Sequence, residues 1–324
     1  MNRFLKKHTF SLLLVVVVGL AVVFPEPASE TGFLRSSWWV RIGVAIVFFL
    51  QGVSLPTRSL VAGYQPLRLH GFVLLWNFIW FPALVALVVF LVRPALSTEL
   101  VLGFGFLALL PTTIASATAY TSISGGNVAN AIVSTVVSNL LAVLLIPVAS
   151  LFYFKWELAV EIPFGRVLLN LTLMLVVPLV LGQLVQRLVT LDAGKVGLVV
   201  RTVSSGIILL IVYLSFAKSV EESLFKQLSS ESLIFTVCIV VMLLLFSAVL
   251  VWISAAWLKL DTPQRIAAFY CASQKSLAAG LPLVSSILLT VPDMGEVGIV
   301  LIPMLCFHPL QMLLAGLVSA KLEK

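Results

Sequence analysis

Residues 109–126 read LLPTTIASATAYTSISGG, and residues 268–286 read AFYCASQKSLAAGLPLVSS. Each is a polar passage inside a long apolar run. In the first, Pro111 is followed by Thr112, Thr113, Ser116, Thr118, Thr121 and Ser122; in the second, Gln274 and Lys275 precede Gly280 and Pro282, which weaken helical continuity. Unpaired backbone groups in hydrocarbon cost several kcal/mol. Interrupted helix is therefore tolerated at membrane depth only where protein or a water-filled cavity satisfies it. For either passage alone, hydroxyls bonding back to their own helix and a proline that merely kinks it account for the pattern equally well. Two interruptions in corresponding positions point to a binding site.

The rest of the chain supports lipid as the solvent. Of 324 residues, 61% are hydrophobic and 10% charged, against about 25% charged in ordinary soluble domains. Apolar runs at 9–25, 38–55, 70–92, 97–124, 127–154, 163–188, 198–219, 232–258, 264–291 and 297–319 have the length of membrane-crossing helices. The expected fold class is all-α and integral to the membrane, with about ten transmembrane helices. Short connections leave no room for a soluble domain, and the amino-terminal run reads as a retained first helix rather than a cleaved signal.

Although the net charge is +7, the basic residues lie singly in the connections, which excludes a nucleic-acid patch. They report orientation instead. A cytoplasmic amino end puts Arg3, Lys6, Lys7, Arg58, Arg68, Arg187, Lys195, Arg201, Lys259, Arg265, Lys321 and Lys324 on that side, twelve of twenty. Arg35, Arg41, Arg93, Lys155, Arg166, Lys218 and Lys226 face outward with ten of the thirteen acids. Both termini are then cytoplasmic, in the plasma or inner membrane. Ten segments divide into residues 1–158 and 159–324, and five crossings in each half invert the second relative to the first. The broken fourth and ninth segments are the matching irregularities of one transmembrane domain.

Lys275 lies eleven residues beyond Gln264, roughly 16 Å into a ~30 Å core. A central lysine costs about 2.5–3.5 kcal/mol on insertion scales. Glu99, Glu161, Asp261 and Glu296 all fall at segment ends, so compensation must come from carbonyls, hydroxyls, amides, water, an anionic ligand or loss of the proton. His308 opens HPLQ halfway along the last segment, where a packing role competes with a ligand role. Asn77, five residues before Pro82, is a buried amide that either joins helices or touches a ligand. Cys238, Cys271 and Cys306 fall inside apolar runs without CxxC spacing and read as packing residues. There is no nucleophile–base–acid set or metal cluster, and Gly125–Gly126 lacks the Lys-Ser/Thr of a phosphate loop and fits a tight turn. An enzyme is not expected, and no cofactor beyond a coupled sodium ion or proton.

The segment GNVANAIVSTVVSNLLAVLLIP, Gly126 to Pro147, resembles the fifth helix of the bile acid/sodium symporter family. Segment count and the two broken helices extend the resemblance over nearly the whole chain. It implies a core of segments 3–5 and 8–10, with the broken helices crossing inside it, and a panel of segments 1, 2, 6 and 7 against which the core moves to give alternating access. By resemblance, Asn77 falls at the Gln of the family's Q-x-x-x-x-P pattern, Thr135 and Gln274 at sodium-site positions, and His308 at the His of W-H-N.

Other positions depart from the pattern. The ninth-helix Glu falls at Tyr270, the Asn after the Gln at Lys275, the fourth-helix Ser-Asn pair at Ala117 and Thr118, a fifth-helix Ser at Ala131, and the Asn after the His at Pro309. These departures speak against sodium coupling of the bile-acid kind. SQK and HPxQ are similar to a divergent branch of the same family.

The expectation is a secondary transporter of a small organic anion. Asn77, Ser116, Thr118, Thr135, Gln274, Lys275 and His308 are its substrate- or ion-binding candidates, and Lys275 is a fixed cation. A proton-coupled or exchange transporter in which Lys275 changes charge is one alternative, and a non-transporting membrane regulator on the same fold is another. The expected partners are the small organic anion and the lipid bilayer, with no nucleic acid, and the sequence leaves the oligomeric state open.

Overall fold

A computed structural model describes residues 2–28, 32, 34, 37–54, 63–158, 164–188, 193–221, 229–288 and 297–322. Arg35, Arg58, Glu161, Lys226, Glu296 and Lys324, used above to judge orientation and charge, lie outside the described residues. Among the described residues there is helix and no strand, as backbone surrounded by hydrocarbon requires.

In chain order the helices are α1 (Asn2–Val23), α2 (Ser37–Ser54), α3 (Leu67–Leu75), α4 (Phe81–Val92), α5 (Thr98–Leu109), α6 (Ile114–Ile123), α7 (Val128–Leu158), α8 (Phe164–Leu171), α9 (Val177–Leu188), α10 (Ala193–Glu221), α11 (Ser230–Ala256), α12 (Thr262–Ser273), α13 (Leu277–Leu288) and α14 (Val297–Leu322). A π-turn, Trp76–Trp80, joins α3 to α4, and another, Thr172–Val176, joins α8 to α9. Among the described residues six helices are long and apolar enough to cross a membrane, and a seventh if α5 and α6, bent by 55° across their break, count as one. The apolar parts of the first two helices, Leu12–Val23 and Trp38–Ser54, are shorter.

The chain divides into two compact units. One comprises Met1–Leu55, Pro147–Ser230 and Ala278–Ile302, the other Pro56–Ile146, Glu231–Leu277 and Pro303–Lys324. Inside the first, α2 and α9 approach backbone to backbone at two glycines. A Cβ on Gly52 would run into the Leu179 carbonyl, and one on Gly182 into the Phe49 carbonyl. Small residues at such a crossing let two helices pack closely in lipid, where no hydrophobic force drives them together. Gln183 Nε2 adds a hydrogen bond to the Gly52 carbonyl. Gly182→Leu is expected to destabilise this unit by roughly 1–3 kcal/mol through overpacking, read as a lower melting temperature of the detergent-purified protein. An unchanged melting curve would show that the contact is dispensable.

The second unit holds the first irregular passage and the part of the other up to Leu277, both breaks included. The fourth segment breaks where Pro111 predicts: Leu110 is extended (φ −60°, ψ 137°), and α6 starts from Thr113. The ninth breaks earlier than Gly280 and Pro282 suggest. Its gap is Gln274–Ser276, with Gln274 extended (φ −103°, ψ 143°), while Gly280 and Pro282 lie inside α13. Neighbouring groups take over the backbone there, so no helix-breaking residue is needed. The Gly125–Gly126 turn is as read, with Gly125 at φ +71° and Gly126 N–H donating to the Thr121 carbonyl at 2.7 Å.

Candidate functional site

The two breaks touch. Ser276 N–H donates to the Pro111 carbonyl at 2.7 Å, which pins the gap in the ninth segment to the gap in the fourth. Several further groups of the fourth-segment gap find partners on α7 or on Lys275. The Thr112 carbonyl accepts from Asn139 Nδ2 at 2.8 Å, Thr112 N–H reaches Ser138 Oγ at 3.4 Å, and the buried Thr112 Oγ1 has no hydrogen-bond partner.

Lys275 is 2% exposed. Its Nζ donates to the carbonyls of Leu110 (3.0 Å), Asn77 (3.1 Å) and Ala108 (3.4 Å) and to Asn77 Oδ1 (3.3 Å). The Phe81 ring closes one side, with its centroid 4.3 Å away, so the π-face adds to the cation's stabilisation. All four oxygens are uncharged. Those of Ala108 and Leu110 belong to the carboxyl end of α5, the negative end of its dipole. The acidic residues nearest these elements in sequence stand at helix starts: Glu99 in the first turn of α5 and Asp261 as the N-cap of α12.

The Asn77 carbonyl is available for a local reason. Within the π-turn, Phe81 N–H bonds to the Trp76 carbonyl, and the next residue, Pro82, has no N–H to offer. Neither the α nor the π partner of Asn77 exists, so its oxygen is left for Nζ. The Asn77 side chain is fixed in turn, since Nδ2 donates to the Cys271 carbonyl at 3.2 Å. Sequence reading had left this amide between joining helices and touching a ligand; it bonds across helices, and it also contacts the ammonium.

Gln311 clasps the peptide of Lys275 in both directions. Its Oε1 accepts from Lys275 N–H at 2.7 Å and its Nε2 donates to the Lys275 carbonyl at 2.7 Å. That pair fixes the orientation of the amide, so the contact of Nε2 with His308 Nδ1 at 3.0 Å has the imidazole nitrogen accepting. His308 therefore acts on Lys275 through Gln311. Gln274 Oε1 accepts from Ser116 Oγ at 2.7 Å, while its buried Nε2 has no partner. Gln274 and Gln311 share a cavity of about 10 Å³ with Ser273, Phe269 and Leu314, about the space of one water.

Five of the seven candidates thus lie together at the breaks, Asn77, Lys275 and His308 linked through Gln311 and Nζ, and Ser116 paired with the adjoining Gln274. The hydroxyls of the other two turn back onto their own helices, Thr118 to the Ile114 carbonyl at 2.7 Å and Thr135 to the Ile132 carbonyl at 2.9 Å. Thr135 joins only through its backbone oxygen, which shares Asn139 Nδ2 with Thr112. Tyr270, where the resemblance expects Glu, stacks on Tyr120 at 5.7 Å and meets Ser124 Oγ with its hydroxyl at 2.9 Å.

Two helix breaks meet beside the buried Lys275, and the model of the SBF-like CPA transporter family matches residues 8–324. The chain belongs to that family. It is 32% identical to an uncharacterized protein of Pseudomonas aeruginosa, over 98% of this chain and 93% of that one. It is 29% identical to the putative symporter YfeH of Escherichia coli (97% and 92%), and 30% identical to sodium/bile acid cotransporter 7 of Mus musculus (96% and 91%). The resemblance read from the sequence is thereby established: the chain is an integral membrane transporter of the bile acid/sodium symporter type.

Sequence reading missed Gln311, Ser138, Asn139 and Phe81. Gln311 carried a signal in the HPLQ motif, where only the His was singled out. Ser138 and Asn139 stand in the stretch quoted for the resemblance, three and four residues beyond Thr135, and looked like ordinary helix.

Proposed function

We propose that this SBF-like transporter carries a small organic anion by alternating access, and that the Lys275 ammonium takes the place of a bound sodium ion. The observation that carries this reading is the ring of four neutral oxygens around Nζ, which is how a protein binds a monovalent cation. The Glu expected from the family is Tyr270 and the Asn is Lys275. One negative charge is gone and one positive charge has been added, so the fixed charge of the site is more positive by two and a cation stands there without a free ion. An anion preference is supported by the same geometry, because α6 begins at the break in the fourth segment and has the positive end of its dipole there. The unpaired Gln274 Nε2 adds a donor.

Ten crossings in two inverted repeats, 1–158 and 159–324, with both termini cytoplasmic, fit this reading. A helix or broken pair of helices stands on each of the ten apolar runs. A proton-coupled or exchange cycle draws on one further observation: no carboxylate is among the acceptors of Nζ, so the lysine has no fixed counter-charge to retain its proton.

The test is a thermal-stability screen of small organic anions against the purified protein, with and without sodium, followed by uptake into proteoliposomes. Saturable stabilisation by an anion, indifferent to sodium, is expected. Saturable, sodium-specific stabilisation would overturn the tethered-cation reading, and uptake driven only by a pH gradient would favour the proton-coupled one.

A further inference from the structure

Within the second unit, a groove of about 330 Å³ runs between α11 and α14, floored by Phe269 of α12. Its walls are apolar, with Leu245, Val249 and Ile253 on one side and Leu314 and Val318 on the other. These stretches advance by eight residues on α11 and by a similar length on α14, about 12 Å, close to the depth of one leaflet of a ~30 Å core.

One end of the groove is basic. Lys321, in the last turn of α14, lines it directly. The Arg265 guanidinium stacks 4.3 Å over the ring of Trp252, another wall residue, and donates to the Trp252 carbonyl at 2.9 Å. Arg68 is tied to the same end by its bond to the Lys259 carbonyl at 3.0 Å in the turn between α11 and α12. Against these three cations stands Asp261, whose carboxylate accepts from Gln264 N–H at 2.8 Å as the cap of α12. Neither Lys321 nor Arg265 belongs to the network around Lys275.

An apolar trough one leaflet deep, opening onto clustered cations, is complementary to a lipid that has an acyl tail and a negative headgroup. We propose that the groove is a binding site for an anionic phospholipid, with one acyl chain along α11 and α14 and the phosphate beside Lys321 and Arg265.

The full chain, purified in detergent, is to be titrated with phosphatidylglycerol and with phosphatidylcholine of identical acyl chains. Retained lipid is read by native mass spectrometry and stability by thermal melting. Phosphatidylglycerol is expected to be retained preferentially and to raise the melting temperature more. Lys321→Gln, an exposed position, should lose roughly fivefold of that preference, the share of one surface cation, with its melting in phosphatidylcholine unchanged. Val249→Trp, which fills the groove, should lose phosphatidylglycerol retention although every cation is still present. Equal retention of the two lipids by the parent protein, or an undiminished preference in Lys321→Gln, would overturn the proposal. So would a dimer that Val249→Trp converts to monomer, since a second copy of the chain would then be the occupant.

Discussion

Lys275→Ala is expected to weaken anion binding on the order of 100-fold and to regain part of it when ammonium or methylammonium is added. A unit charge about 6 Å from a bound anion contributes roughly 2–3 kcal/mol at an effective dielectric constant near 20. Stability responds less clearly, because two large terms oppose each other. The mutation removes charge-assisted hydrogen bonds of about 1.5–3 kcal/mol each, and it also relieves the desolvation of a buried cation, several kcal/mol in the other direction. Binding and uptake are therefore the measurements to make. Rescue by a free cation is the decisive part: truncation leaves the oxygens of Asn77, Ala108 and Leu110 facing a space the size of the lost side chain. The N–O distances of 3.0–3.4 Å suit an ammonium nitrogen, so ammonium should rescue better than sodium. Undiminished transport by Lys275→Ala would dispose of the idea.

The second large effect is expected from Gln311→Leu. The substitution conserves volume and strips the partners from the N–H and the carbonyl of Lys275, both buried in the helix gap. An orphaned buried group costs about 1–3 kcal/mol, so the pair predicts roughly 2–6 kcal/mol of destabilisation. Melting in detergent should show it, with uptake lost in parallel. His308→Ala is the graded control, because it leaves both bonds to Lys275 in place while removing the contact to Gln311 Nε2; about 1 kcal/mol is expected. Equal effects from the two variants would mean that Gln311 serves to seat His308 rather than to hold the gap.

Much of this architecture was legible because hydrocarbon imposes simple rules. Run lengths gave the helix positions, and Pro111 gave the break in the fourth segment. The break in the ninth was placed too late, since Gly280 and Pro282 drew attention while the real gap, Gln274–Ser276, is made by partners more than thirty residues away in sequence at Gln311 and farther still at Pro111. Lys275 was legible from the cost of a charge at depth. Its ligands were not, because three of the four are main-chain oxygens. Thr118 and Thr135 stand apart from the contacts of Lys275 because a hydroxyl on a helix has a carbonyl of its own turn within reach.

The π-turn at Trp76–Trp80 has an evolutionary corollary. The oxygen it supplies to Nζ is exposed because Phe81 N–H is used elsewhere and residue 82 is an imino acid, so that ligand is encoded one turn away from the atom that does the binding. Drift at position 77 would spare it, whereas replacement of Pro82 would return a donor and withdraw it. Comparisons among relatives that track side chains alone would score the first change as damaging and overlook the second.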